Sequence, residues 1–284
     1  MPKSAFELKL PDHRTSCAVF ASPHSSRDYP MSFLDRTLLT DHSVRSSEDA
    51  FVDQLFDCAT EFGAPLLLAG APRAFLDLNR GPEELDPALI DGVRRQGHNP
   101  RVASGLGVIP RVVSNGRAIY RGKISAAEAR QRIDSYWHPY HAELQRQLTE
   151  TRSSFGRAVL IDCHSMPHEA VRQANMSQRP EIVLGDRFGT SAHPEVVDHV
   201  EAAFAAAGLV VTRNTPFAGA YVTQTYGRPS RHVHAVQIEI DRALYMDEQT
   251  IRPNAHFEEF RRLLRGVIAD IAGIPAPDQA LAAE

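Results

Sequence analysis

Short apolar runs alternate along this chain with segments of helical periodicity, and their order restricts the possible folds more than any other property. Residues 233–240 are the strongest strand signal, and residues 125–149 are the clearest helix, opened by a Ser125/Glu128 capping pattern. Apolar strands separated by amphipathic helices are typical of a sheet that is covered on both faces. We therefore expect an α/β fold of three layers, with a mixed, largely parallel sheet between helices.

Further elements follow from the same periodicities. The other predicted strands are 17–21, 65–69, 158–161 and 209–211, with 74–78 as an additional candidate, and the other predicted helices are 48–62, 194–207 and 254–272. Pro139 should kink or interrupt the helix that contains it. Residues 81–116 are rich in Pro, Gly, Arg and Asn, which predicts a long loop of the kind that often carries function. Because no linker divides the chain, residues 1–284 are predicted to form one domain.

Charge and composition exclude several classes of protein. A net charge of −4 lacks the basic excess that is typical of nucleic-acid binding. No apolar run approaches the ~20 residues needed to span a bilayer, and the N-terminal segment lacks the apolar core of a signal peptide. The three cysteines include no Cys-x-x-Cys pair, which favours a reducing compartment and disfavours a thiolate metal site. We expect a cytoplasmic protein that binds a small molecule rather than nucleic acid or a membrane.

Two histidines lie just beyond predicted strand ends. His24 follows residues 17–21, and His164 follows residues 158–161. Sites in α/β proteins assemble at the carboxyl ends of strands, and imidazole is the commonest protein ligand of zinc. Catalytic zinc usually has three protein ligands, so a carboxylate or another histidine should complete such a site. The alternative is that each histidine only makes a backbone hydrogen bond in a loop.

Three acidic residues are candidates for the third ligand. Glu48 and Asp49 open the predicted helix 48–62, although acids in a first turn also stabilise the helix dipole. Asp162 lies two residues before His164 and therefore on the same side of an extended chain. It could bind the metal or orient an imidazole.

Glu239 is the most unusual residue of the predicted strand 233–240. Val236, Ile238 and Ile240 share one face of this strand, and Gln237, Glu239 and Asp241 share the other. One interpretation is an edge strand with a half-exposed polar face. If the sheet is covered on both faces, however, a carboxylate is costly to bury there unless it has a function. Near a metal it could act as a general base.

Two Asn/Arg pairs follow apolar runs. Asn79 and Arg80 form one pair, and Arg213 with Asn214 forms the other. The planar guanidinium of arginine can bind a substrate carboxylate through two hydrogen bonds. Ordinary turn chemistry at a strand exit is the alternative, because asparagine is common in turns.

Seven short motifs carry a resemblance to a known family. In chain order they are Ser22-Pro23-His24-Ser25-Ser26-Arg27-Asp28-Tyr29-Pro30, Asp77-Leu78-Asn79-Arg80, Asp162-Cys163-His164-Ser165, Gly185-Asp186-Arg187-Phe188-Gly189, Asn214-Thr215-Pro216-Phe217-Ala218-Gly219, Gln237-Ile238-Glu239-Ile240 and Arg242-Ala243-Leu244-Tyr245-Met246-Asp247-Glu248. Together they resemble the N-formylglutamate amidohydrolase (deformylase) family over nearly the whole chain. That family is similar in fold to zinc carboxypeptidases and aspartoacylases, so the resemblance implies a zinc-carboxypeptidase-like fold.

The resemblance also implies roles for individual residues. It implies that His24 and His164 bind one zinc ion and that Glu239 is the general base. Asn79 and Arg80 would hold a substrate carboxylate, with Arg213 as a further candidate for this role. Carboxypeptidase-like proteins place the acidic ligand three residues after the first histidine, a position that Arg27 occupies here. We therefore expect the third ligand to come from elsewhere, with Asp49 preferred to Glu48 or Asp162.

The expected reaction is zinc-dependent hydrolysis of N-formyl-L-glutamate to formate and L-glutamate, a late step of histidine breakdown. A second enzymatic hypothesis keeps the metal site and changes the substrate to another N-acyl amino acid or to a peptide C-terminus. The non-enzymatic hypothesis is a metal-bearing protein that binds small carboxylates through the same arginines.

Overall fold

A seven-stranded sheet forms the centre of the molecule. The computed structural model describes residues 3–94, 99–113, 116–172 and 179–276. The strands are β1 (Phe6–Lys9), β2 (Ala18–Ser22), β3 (Leu66–Ala69), β4 (Ala158–Met166), β5 (Ile182–Gly185), β6 (Val211–Arg213) and β7 (Val233–Asp241), and a separate hairpin pairs β8 (Met246–Asp247) with β9 (Arg252–Pro253). The order in the sheet is β1-β3-β2-β4-β7-β5-β6. Among the described strands of this sheet, only the β1/β3 and β5/β7 pairs are antiparallel. The predicted mixed, largely parallel arrangement is therefore confirmed.

Helices cover both faces of this sheet. They are α1 (Met31–Leu34), α2 (Asp41–Val44), α3 (Val52–Leu55), α4 (Pro100–Ala103), α5 (Ala126–Arg132), α6 (His138–Phe155), α7 (His168–Arg172), α8 (Pro194–Ala206), α9 (Tyr221–Tyr226) and α10 (Phe257–Ala272). One apolar cluster joins a face of the sheet to α3, α8 and α10, and another joins the opposite face to α6. The predicted three layers are therefore confirmed. Among the described helices, none combines the length and apolar character required to cross a lipid bilayer.

Alternation along β4 shows how one strand serves both cores. Val159 and Ile161 belong to the cluster on the α8/α10 side, whereas Ala158 and Leu160 belong to the cluster on the α6 side. Successive side chains of a strand point to opposite faces, so a fully buried strand must be apolar on both. This requirement explains the continuous apolar run before Asp162.

The long predicted helix around Pro139 is present, with an irregular turn in its middle. Ser125 caps α5 by accepting a hydrogen bond from the backbone nitrogen of Glu128, as the capping pattern predicts. A π-helical turn, Ile133–Trp137, then joins α5 to α6 just before Pro139. Proline lacks an N–H donor and its ring collides with the carbonyl four residues earlier, so a wider turn relieves the conflict. The predicted interruption is confirmed.

Two local predictions are wrong. Residues 48–62 do not form one helix, because Phe51 has a left-handed φ of 69° and only α3 and a 3₁₀ segment, Asp57–Phe62, are helical. The backbone nitrogen of Asp49 instead donates to the carbonyl of His24 at 3.0 Å, a tertiary contact that overrides helical propensity. Residues 74–78 form turns rather than a strand, since Phe75 N bonds Pro72 O at 2.9 Å.

Candidate metal and substrate site

One face of the sheet changes from apolar to polar along β4 and β7. These parallel strands pair in register, with Asp162 opposite Gln237 and His164 opposite Glu239. Leu160 and Ala235 precede these residues on the same face and pack in the core under α6. Beyond them the face lines a cavity of about 600 Å³. His164, Gln237 and Glu239 therefore face a cavity instead of a flat surface in bulk solvent.

Glu239 lies in the middle of the sheet, because β7 is flanked by β4 and β5. Its exposed fraction is only 8%. The edge-strand interpretation is therefore wrong, and the strand's polar face reflects a buried site.

His24 is held at the end of β2 by a buried carboxylate. Its Nε2 lies 2.7 Å from Asp77 Oδ1, within hydrogen-bonding distance, and the histidine is 1% exposed. An ionised carboxylate can only accept, so Nε2 carries the proton and Nδ1 keeps its lone pair. Nδ1 is buried with no hydrogen-bond partner among the described groups, although Asp49 Oδ2 lies 3.4 Å away. A buried nitrogen with a free lone pair is the state required of a metal ligand.

Asp49 lies between the two histidines. Its Oδ2 is 2.9 Å from His164 Nδ1, while its Oδ1 accepts a hydrogen bond from Arg242 Nη2 at 3.0 Å. One ligand atom from each of His24, Asp49 and His164 can be chosen so that all lie within 4.8 Å of one another. Two imidazoles and a carboxylate in a buried cluster are a donor set typical of catalytic zinc. The residues present therefore fit a metal ion.

The electrostatics of this cluster favour positive charge. Burial raises the pKa of Asp49, but the neighbouring imidazoles of His164 and His24 outweigh burial and hold that pKa well below its ordinary value. Burial lowers the pKa of His164, but the charge of Asp162 and its bond with Asp49 raise that pKa well above its usual range. Carboxylates that draw protons onto neighbouring imidazoles can equally be satisfied by a cation.

The other two acids proposed as ligands lie outside this cluster. Both nitrogens of the Arg45 fork donate to the Glu48 carboxylate, at 3.0 Å from Nε to Oε1 and from Nη2 to Oε2. Asp162 approaches the second nitrogen of His164, with Oδ1 at 3.0 Å from Nε2. Of the three candidates, the structure brings Asp49 to the two histidines.

Glu239 has one carboxylate oxygen anchored and one open. Gln237 Nε2 donates to Oε1 at 2.8 Å, and no described group hydrogen-bonds to Oε2. Burial raises the pKa of Glu239 to about 7, with the charge of His164 opposing and that of Asp49 adding to this effect. A carboxylate with a pKa near neutrality can both accept and return a proton.

The segment around Asn79 and Arg80 is held against the site by side-chain and backbone contacts with the surrounding elements. Asn79 Oδ1 accepts from the backbone nitrogen of Val222 at 2.8 Å, and its Nδ2 lies 3.3 Å from His164 Nε2. From the α6 side, His141 Nε2 donates to Leu78 O and Trp137 Nε1 donates to Arg80 O, each at 2.9 Å. Trp137 at the end of the irregular turn and His141 near the start of α6 therefore fix the backbone of this segment.

Arg80 is buried and forms no ion pair with a described residue. Its Nε and Nη1 donate to the carbonyls of Leu106 and Asn79, and it forms no ion pair with a described carboxylate. Burial lowers the pKa of Arg80, and the charges of Arg73 and Arg101 add to this effect, although Asp77 raises it. A guanidinium that is only 7% exposed and unpaired is costly unless it binds an anion.

Three residues of the site were not assigned a role from the sequence. Asp77 orients His24, Arg242 anchors Asp49, and Arg73 lines the cavity with its Nε 3.2 Å from Asp77 Oδ2. Arg242 lies two residues after the predicted strand 233–240, and Asp77 belongs to the Asp-Leu-Asn-Arg motif, so their positions offered a signal. Arg73 carries no comparable signal in the sequence.

Arg213 is placed away from these residues. It ends β6, does not line the cavity, and donates to Glu201 Oε2 from Nε and to Asp198 Oδ1 from Nη2, each at 2.7 Å. Asn214, beside it, accepts from the backbone nitrogens of Asp186 and Phe188 through its Oδ1. This second Asn/Arg pair thus braces α8 and a turn, the structural alternative considered from the sequence.

Comparison with known proteins agrees with the motifs. Residues 16–246 match the family model described as N-formylglutamate amidohydrolase. The chain belongs to this amidohydrolase family. An N-formylglutamate deformylase of Pseudomonas aeruginosa is 32% identical over 241 residues, which cover 84% of this chain and 85% of the relative.

One solved structure agrees with this assignment. The crystal structure of N-formylglutamate amidohydrolase from Ralstonia eutropha aligns with a TM-score of 0.88 and 34% identity, covering 94% of this chain and 97% of the other. A metallo-carboxypeptidase from Pseudomonas aeruginosa aligns with a TM-score of 0.37 and 13% identity, covering 95% of this chain and 62% of the other. The family resemblance expected from the seven motifs is confirmed.

Proposed function

We propose that this protein hydrolyses N-formyl-L-glutamate to formate and L-glutamate, with one zinc ion held by His24, Asp49 and His164. The observation that carries the proposal is the buried His-Asp-His cluster beside the open oxygen of Glu239, in a member of the N-formylglutamate amidohydrolase family. When bound, a zinc ion supplies Lewis-acid chemistry, polarising the formyl carbonyl and making a water molecule more acidic.

Glu239 is the proposed general base. Its anchored Oε1 fixes the carboxylate, and its open Oε2 can accept a proton from the water that attacks the formyl carbon. The same oxygen can then deliver that proton to the amide nitrogen as the C–N bond breaks. The products are formic acid and L-glutamate. Formic acid ionises to formate, and the free amino group of glutamate takes up a proton. Burial keeps the carboxylate basic enough for both transfers.

Arg73 is proposed to face the reacting carbonyl. Asp77 holds its Nε, and no described group hydrogen-bonds to its terminal nitrogens, which belong to the same cavity as Glu239. A fixed guanidinium can stabilise negative charge that develops on the formyl oxygen, because it needs no reorganisation during the reaction.

Asn79 and Arg80 are proposed to hold the substrate carboxylate next to the amide. The unpaired, buried guanidinium of Arg80 supports this role, and the bonds from Trp137 and His141 keep its backbone in place. A formyl group is small, so most of the binding energy must come from the glutamate portion. Arg213 is left out of the proposed site because Glu201 and Asp198 bind it elsewhere.

Release of the free amino group in a panel of zinc-loaded reactions tests the proposal, with formate measured as the second product of the N-formyl compounds. The panel contains N-formyl-L-glutamate, N-formyl-L-alanine, N-acetyl-L-glutamate and a peptide with a free C-terminus. We expect the highest kcat/KM for N-formyl-L-glutamate and loss of activity after chelation. Preferential cleavage of the acetyl compound or the peptide would instead support the second enzymatic hypothesis. The pathway of histidine breakdown and the cytoplasmic location stay predictions from the sequence.

A further inference from the structure

We infer that Arg101 binds the side-chain carboxylate of the substrate, while Arg80 binds the carboxylate next to the amide. The inference rests on the proposed function and names the residue that distinguishes glutamate from uncharged amino acids. Its basis is the pairing of the cavity's arginines, two of which have carboxylate partners and two of which have none.

The paired arginines bond to carboxylates of the metal site. Arg73 bonds to Asp77, and Arg242 bonds to Asp49, so their charges already balance carboxylates of the site. Arg80 and Arg101 also line the cavity, but neither forms an ion pair with a described residue. The cavity therefore contains two guanidinium groups that form no ion pair with a described carboxylate and that an anionic ligand can pair with.

Arg101 has a fixed backbone and a free side chain. Its backbone nitrogen donates to Asn99 Oδ1 at 3.0 Å, and Asn99 Nδ2 in turn donates to Glu84 Oε2 at 2.9 Å. The exposed guanidinium makes no hydrogen bond with a described group, although it shares the cavity wall with Ser104 and Leu106. An arginine that is presented by a fixed turn and left unbonded is suited to capture an anion.

Arg80 contacts the segment that follows Arg101. Arg80 Nε donates at 2.9 Å to the carbonyl of Leu106, five residues after Arg101. Their positive charges are close enough for Arg101 to contribute to the lowered pKa of Arg80. Glu84, an acid that acts on Arg80 in the opposite direction, is bound to Asn99 Nδ2 and to the backbone nitrogen of Gly81. A ligand with two negative charges would relieve the repulsion between the arginines.

The order of groups in the substrate assigns each carboxylate to one arginine. Asn79, the neighbour of Arg80, approaches His164 to 3.3 Å, so Arg80 belongs to the metal end of the cavity. In N-formyl-L-glutamate the main-chain carboxylate is separated from the amide nitrogen by one carbon, whereas the side-chain carboxylate lies beyond two further methylene groups. The nearer carboxylate therefore matches Arg80, and the more distant one matches Arg101 at the exposed part of the wall.

Comparison of two nearly isosteric substrates tests this assignment. N-formyl-L-glutamine has the shape of N-formyl-L-glutamate without its side-chain charge. In zinc-loaded Arg101→Gln, kcat/KM for the glutamate compound should fall about 10- to 100-fold, the usual effect of a charge-assisted hydrogen bond, while kcat/KM for the glutamine compound stays unchanged. Arg80→Gln should lower kcat/KM for both substrates. Arg130→Gln removes another exposed, unbonded arginine, outside the cavity, and should change neither.

The outcomes separate this inference from the proposed function. If wild-type protein releases formate but Arg101→Gln affects both substrates equally, or affects neither, Arg101 does not recognise the side-chain carboxylate and the inference is overturned. If wild-type protein releases formate from neither substrate, the proposed function itself is overturned. Inhibition by glutarate provides an independent binding measurement, and its inhibition constant should rise about 10-fold or more in Arg101→Gln but not in Arg130→Gln.

Discussion

His141 provides a measurable link between the buried support of the site and the stability of the fold. The imidazole is 5% exposed, donates through Nε2 to Leu78 O, and lies with Nδ1 at 2.8 Å from the hydroxyl of Tyr226. Its ring packs on Trp137 with 4.0 Å between centroids. Burial lowers the pKa of His141 to about 3, although the bond to Leu78 O opposes this effect. The folded protein therefore keeps this side chain neutral in mild acid.

The consequence for stability has a definite sign. In the unfolded chain an exposed histidine has a pKa of about 6.5, so it takes up a proton as the pH falls below that value. The folded state does not take up this proton until the pH approaches about 3. The unfolded state is thus stabilised by acid, and the contribution of His141 is complete above about pH 6.5 and lost on acidification. Linkage gives a loss of about 2 kcal/mol in unfolding free energy from about pH 7 to about pH 5.

Urea unfolding of wild-type protein and His141→Gln measures this contribution. Glutamine does not titrate in this range, and its amide can still donate to Leu78 O. Trp137 is the only tryptophan of the chain and packs on residue 141, so its fluorescence reports the transition. The protein should be metal-free, because protons compete with zinc for its ligands. Between about pH 7 and about pH 5, wild type should lose about 2 kcal/mol more than the variant.

A neighbouring histidine supplies the control for this experiment. His138→Gln removes an imidazole that lies in the same helix but has a side chain 55% exposed, and its stability should follow the wild-type pH dependence. Parallel loss of stability in wild type and His141→Gln would refute the reasoning. It would mean that His141 takes up a proton as readily in the folded protein as in the unfolded chain.

Three further predictions concern the site. Glu239→Gln should keep a full complement of zinc and lose kcat by about 100-fold or more, and a kcat near the wild-type value would exclude Glu239 as the base. Asp77→Ala leaves His24 Nε2 without its acceptor, so competition with a chelator should show a zinc affinity reduced about 10- to 100-fold; unchanged affinity would mean that Asp77 does not orient the ligand. Arg213→Ala breaks bonds to Glu201 and Asp198 outside the cavity, so kcat/KM should stay within about 2-fold of wild type and stability should fall by about 1 kcal/mol or less. A large fall in kcat/KM in that variant would return Arg213 to the substrate site.

Local sequence pattern was sufficient for much of the fold. The sequence predicts strands at residues 158–161 and 233–240. The first is a short apolar run, and the second alternates apolar and polar residues; both patterns are typical of strands. The alternation of Val236, Ile238 and Ile240 with polar residues also identified the two faces of β7 correctly. What the pattern left open was whether its polar face met solvent or a cavity, because that depends on which strands flank β7.

Local pattern failed where distant residues control the backbone. The predicted helix 48–62 is broken at Phe51, and Asp49 is held by His24, 25 residues earlier, and by Arg242, 193 residues later. No window of neighbouring residues contains those partners. Arg213 illustrates the converse, since its place after an apolar run resembled that of Arg80, but its partners on α8 could not be read from spacing.

The sequence by itself determined the alternation of strands and helices, the residues with useful chemistry at strand ends, and the family to which their order belongs. Tertiary structure alone decided which of those residues meet. Parallel pairing of β2, β4 and β7 brings His24, His164 and Glu239 together near the carboxyl ends of these strands. Because the predicted helix is broken, Asp49 lies between the two histidines. Hydrophobic periodicity acts over a few residues, whereas this metal site depends on distances between residues that are 25 to 140 positions apart.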